Sequence, residues 1–166
     1  MDKPGQVRDL LTKAVPELNR NPESLHIFVE NGNINATGAG LNLSFEYQFE
    51  LLILITDYAG HADSLIVPLL AWCRDNQPEL LMNDDRRDGF KFRAEQLTDN
   101  TADVEITLKL TERVKVYPGD NNTVNIEHLP EPALIGAPDG ITWQLFINQG
   151  THTNKQWELI SSTQEI

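Results

Sequence analysis

The chain has 166 residues, 40% of them hydrophobic, and carries 25 Asp plus Glu against 13 Lys plus Arg, a net charge of -12. At roughly 100–200 residues per domain this is one domain, or one domain with an appendage, and the apolar share suffices for a core. The acidic balance argues against sequence-specific nucleic acid, which needs cations for its phosphates, and the longest apolar run, Leu51 to Ile55, is far short of the roughly 20 residues of a membrane-spanning helix, so no membrane partner is expected.

No apolar stretch of roughly 7–15 residues follows Met1-Asp2-Lys3-Pro4, so no signal peptide is read and a cytoplasmic setting is expected. Cys73 stands alone, which rules out an internal disulfide and a multi-cysteine zinc site.

In chain order, residues 4–19 read as a helix. Pro4 is tolerated in its first turn, and Val7, Leu10, Leu11, Ala14, Val15 and Leu18 recur at three- and four-residue spacing. Asn21-Pro22 ends it. Leu25, Ile27 and Val29 then alternate with His26, Phe28 and Glu30 up to the turn pair Asn31-Gly32, a first strand. Whether Asn33 to Thr37 returns as a second strand or prolongs the first past a kink stays open. From Leu41 to Ile55 every second residue is apolar, and the intervening positions change from Asn42, Ser44, Glu46, Gln48 and Glu50 to Leu52 and Leu54. The spacing predicts the longest strand over Leu43 to Ile55, with its second half buried on both faces and covered by a helix. That helix is predicted over about 63–75, capped by Asp63 or Ser64 and only bent by Pro68. After the polar turn Asn83 to Asp88, the segments Phe90 to Ala94 and Val104 to Val116 alternate in parity and predict an antiparallel hairpin around Thr98 to Thr101.

The expected fold is therefore α+β in the order α-β-β-α-β-β: a mainly antiparallel four-stranded sheet with two helices on one face. Residues 1–117 form this domain, and 118–166 form a proline-rich appendage. Within the appendage, Ile141 to Ile147 and Trp157 to Ile160 read as short strands that either pair with each other or join another sheet. Two strands alone are marginal in water, so they need support from the domain or from a neighbouring subunit.

Asp57, His61 and Asp63 make the best enzyme-like cluster, a histidine flanked by carboxylates at a strand end. The plainer reading is that Asp63 caps the following helix and Asp57 closes the turn with Gly60. No catalytic residue, cofactor or metal is assigned. A small enzyme or ligand-binding domain using the Asp57/His61 corner is the alternative reading. No GxGxxG, P-loop, HExxH or GxSxG pattern occurs. Cys73 falls on the apolar side of its helix and reads as core. His26, His128 and His152 stand singly and read as packed or solvent-facing. Trp143, Phe146 and Trp157 lie in a tail too small to enclose them and are candidate interface residues; Arg86 and Arg87 join them as candidate polar contacts.

Ala14-Val15-Pro16-Glu17-Leu18, Leu25-His26-Ile27-Phe28-Val29, Leu43-Ser44-Phe45-Glu46-Tyr47, Thr56-Asp57-Tyr58-Ala59-Gly60 and Gln77-Pro78-Glu79-Leu80 resemble tail completion protein R of contractile-tailed phages and prophages. Leu65 to Trp72, Gly89 to Phe92 and Leu108 to Val114 continue the likeness in the same order, over most of residues 10–116. The resemblance implies a non-enzymatic assembly factor that completes the head-proximal end of the tail tube and prepares it for joining to the head. It implies the tail tube protein and other tail or head-tail joining proteins as partners, and the host cytoplasm and then the virion tail as locations. By analogy of fold with tail terminators, it implies a hexameric ring.

Overall fold

The computed structural model describes residues 1–36, 43–132, 144–149 and 154–162. The chain opens with helix α1 (Lys3–Ala14), whose Val7, Leu11 and Ala14 are buried. The single helix expected over 4–19 is split: Val15 is extended (φ -111°, ψ 108°), and α2 (Pro16–Arg20) starts afresh. Pro16 is the cause, since its ring drives the preceding residue out of the helical region. The apolar stripe survives the break, because Val15 and Leu18 stay buried.

Strand β1 (Leu25–Ala36) settles the open question after Gly32 in favour of one kinked strand. Glu30 faces Glu50 of β2 (Phe45–Tyr58), Asn33 faces Gln48, and Asn31 and Gly32 together oppose Phe49. This is a β-bulge, with Asn31 in the left-handed region (φ 49°) that asparagine tolerates. Helix α3 (Asp63–Asn76) runs unbroken through Pro68, and a one-turn helix α4 (Glu79–Met82) follows. The stretch expected as a polar turn is a 3-10 helix over Asp84–Gly89.

Strands β3 (Phe90–Gln96) and β4 (Ala102–Pro118) complete an antiparallel sheet of order β1-β2-β4-β3. A fifth strand, β5 (Val124–His128), pairs with the far end of β4. The longest strand is β4 with 17 residues, and not β2 with 14; β4 is long because it serves β3 along one stretch and β5 along another. A separate antiparallel pair, β6 (Gln144–Asn148) and β7 (Trp157–Ser162), forms its own two-stranded sheet. In it β7 touches α1.

Alternation decides the faces of the main sheet. Leu51, Ile53 and Ile55 stand in rows with Ile106, Leu108 and Val104 and are fully or nearly fully buried with Leu11 of α1 and Leu65, Leu69 and Cys73 of α3. Leu52 and Leu54 point the other way, so the helices do not cover them as expected. They are half-buried beside Phe28 and His26 of β1, because adjacent residues of one strand cannot both face one helix layer. The rest of that open face sets opposite charges across from each other: Glu50 against Lys109, Glu46 against Arg113, Glu105 against Arg93.

Candidate interaction site

Around the Asp57/His61 corner the backbone uses every predicted residue, though not in the predicted roles. Thr56 and Asp57 form a second bulge opposite Asp103, with Asp57 at φ 54° and its N–H donating to Asp103 Oδ1 at 2.9 Å. Asp63 does not cap α3; it is the first helical residue, and Ala62 precedes it without a side-chain cap of its own. The Nδ1 of His61 takes over, accepting from the Asp63 N–H at 3.1 Å and lying 3.4 Å from the Asp63 carboxylate. Ser64 Oγ donates to the His61 carbonyl at 2.6 Å and shares a hydrogen bond with the Tyr58 hydroxyl. Gly60 is required here: a Cβ would lie 2.4 Å from the Tyr58 hydroxyl oxygen. The His61 imidazole and the Asp103 carboxylate are thus engaged in holding a strand-to-helix turn.

A second polar cluster escaped the sequence reading. Between the reach of β3, which ends opposite Leu108, and that of β5, which begins opposite Val114, one edge of β4 has no strand partner among the described residues. Gln77, just past α3, fills the gap. The Thr111 N–H donates to Gln77 Oε1 at 3.1 Å, Gln77 Nε2 donates to Thr111 Oγ1 at 3.0 Å, and Lys3 Nζ donates to the Thr111 carbonyl at 2.6 Å. Lys3, itself buried, also reaches Gln77 Oε1, the Asn76 carbonyl and Glu131 Oε1. Next to it the buried carboxylate of Glu112 accepts from the backbone N–H groups of Asp2 and Lys3 and bonds His128 Nδ1. Burial pushes the Glu112 carboxyl up. The two backbone donors, the His128 ring and the N-terminal ammonium outweigh that and hold it below its ordinary value.

Asp2, Glu112 and His128 set donor atoms within 4.8 Å of one another. The Glu112 oxygens, however, are spent on His128 and on the two N–H groups, so the cluster works as a clamp joining N-terminus, β4 and β5. The signal was present in the sequence: Glu112 shares the parity of Leu108, Leu110 and Val114, where a charge must find partners.

Of the five candidate contact residues, Trp143 lies outside the described residues, as does the side chain of Arg87. Arg86 pairs with Glu79 of α4 at 2.6 Å and lines a cleft of about 320 Å³ with Gln48, Phe49, Glu50, Leu80 and Lys109. Phe146 and Trp157 come together: Phe146 faces Leu159 and Asn148 faces Trp157, so both aromatics share one side of the β6–β7 hairpin. They are 45% and 60% exposed, and Lys155 Nζ lies 5.8 Å from the centre of the Trp157 ring. A further exposed group, unpredicted because β5 was unpredicted, comprises Val124 and Ile126, at 60% and 66%; the alternation Val-Asn-Ile was its sequence signal.

The family model described as P2 phage tail completion protein R (GpR) matches residues 1–132. Tail completion protein R of Escherichia phage P2 is 42% identical over 151 residues, covering 89% of this chain and 94% of that protein. No solved structure matches.

Proposed function

The chain belongs to the P2 phage tail completion protein R family, and from that premise we propose that it completes the head-proximal end of the tail tube and readies it for joining to the head. It is a non-enzymatic structural protein of the phage tail, and its partners are other tail proteins. The observation that carries this is the likeness over nearly the whole of both chains. The small-enzyme reading of the Asp57/His61 corner is set aside, since the family is a structural one, Asp57 enters the turn through its backbone N–H and His61 Nδ1 is taken up by the Asp63 N–H.

Within that role the finer reading is a hexameric ring seated on the tube protein, formed in the host cytoplasm during assembly. A factor that binds once per subunit of a six-fold tube meets equivalent sites, and closed rotational symmetry satisfies them with one repeated heterologous contact. Each subunit then needs two different contact surfaces. Segment 141–160 of the appendage is assigned one of them, with Phe146 and Trp157 as aromatic anchors supported by their exposure. Trp143, Arg86 and Arg87 are proposed to contribute at the same or the tube-facing contact. Electron cryo-microscopy of completed tails tests this: a closed six-fold ring with contacts through 118–166 is expected, and one or two copies per tail, or contacts that omit this segment, count against it.

A further inference from the structure

We propose that the projecting end of the main sheet, β5 with the neighbouring part of β4, is the seat that receives the β6–β7 hairpin of a second copy of this chain. The inference rests on the ring reading above and names the surface that the ring contact needs on its other side.

Val124 and Ile126 of β5 have the parity of Val114 and Val116, the side on which the helices lie. Val114 is buried, yet Val116 is only half-buried and the two β5 residues are largely exposed. The sheet therefore continues past its helix layer as a bare two-stranded arm. Ile34 of β1, which faces Tyr47, adds a further exposed apolar side chain to the same side of the same end. Among the described residues β5 pairs only with β4, so its outer edge offers backbone donors and acceptors, and Glu127 is the one charge on it. Exposed edges are normally blunted by lysines, prolines or bulges.

The hairpin is the matching piece. Among the described residues it too is only two strands wide, and one face exposes Phe146 and Trp157. Charge favours this occupant. The described hairpin residues carry one cation, Lys155, and one anion, Glu158, while Val114 to His128 carry Lys115 against Asp120 and Glu127. In a molecule of net charge -12 these are near-neutral surfaces, where two copies meet with little repulsion. Within the arm Lys115 stands across from Glu127, which leaves one anion in excess, and Lys155 beside Trp157 supplies the complementary cation. The contact is heterologous, hairpin to arm, as ring closure requires.

The test uses two full-length variants with one added cysteine each, Ile126→Cys and Trp157→Cys, with different tags and co-expressed in cells assembling tails. Both positions are exposed. Cys73 stays silent, being buried with its thiol pushed up to about 12. A flexible bismaleimide is expected to join the two tagged chains in completed tails, and mapping should place the bridge at 126–157. Copies per tail are counted independently by quantitative mass spectrometry. No bridge in tails that hold several copies overturns the seat alone; a single copy per tail overturns the ring beneath it. As a second measurement, Ile126→Asp and Trp157→Asp are each expected to lower the yield of completed tails about tenfold or more without changing the melting temperature. An unchanged yield for either variant overturns the proposal.

Discussion

At the scale of single residues, two side chains carry more of the architecture than their neighbours. His61 caps α3 through its ring nitrogen, so His61→Ala should cost about 0.5–1 kcal/mol in a urea titration, the price of an ordinary cap, with tail completion in a complementation assay unchanged. Glu112 is more exacting. Replacing it with Ala leaves the buried Lys3 beside unpaired backbone donors and should destabilise by about 3 kcal/mol. The pH dependence follows from the depressed carboxyl. A carboxylate whose folded pKa lies below its unfolded one stabilises fully above the ordinary value of 4.5, and that contribution fades as the pH falls through the folded value. Wild-type stability should therefore drop on acidification below about pH 4.5, and Glu112→Gln should show a flatter decline over the same range. Equal slopes in the two proteins would show that Glu112 is not the group responsible.

At the scale of elements, Gln77 stands in for a missing stretch of strand between β3 and β5. Gln77→Ala removes both its bonds to Thr111 and one acceptor from Lys3, with an expected loss of about 1–3 kcal/mol. Hydrogen exchange should find the Thr111 amide opening faster while those of Ile53 and Ile106 stay protected. Devices of this sort explain what was legible in the chain. Strands β2 and β4 and helix α3 announced themselves because their burial follows one local period, and β1 and β3 through the apolar–polar alternation of Leu25 to Glu30 and Phe90 to Glu95. The two faces of β2 were misjudged because Leu52 and Leu54 shelter beside Phe28, on another strand, where local periodicity has no reach. β5 is short and mostly exposed, so burial left little imprint on its sequence. The Lys3, Gln77, Glu112 and Glu131 cluster joins residues up to 128 positions apart, a pairing that no spacing rule contains. The aromatic candidates Phe146 and Trp157 were found by the opposite logic, as apolar residues with nothing nearby in the sequence to cover them.

At the scale of the whole molecule, charge and shape pull in different directions. A net charge of -12 disfavours self-association of the free chain, while the arm and the hairpin invite it. Raising the salt from low to about 1 M shrinks the screening length to about 3 Å, so sedimentation should show larger species at high salt. A distribution that salt leaves unmoved would mean that repulsion is not what keeps the free chain small. The N-terminal clamp also sets the order of events during synthesis. Lys3 emerges first but finds Glu131 only 128 residues later, which at roughly 5–20 residues per second is a wait of roughly 6 to 25 seconds on the ribosome. Its partners at Asn76, Gln77, Thr111 and Glu112 are made earlier, and Glu131 completes the set. The clamp thus closes fully only once residue 131 has been made, which ties the packing of the first helix to the last strand of the main sheet.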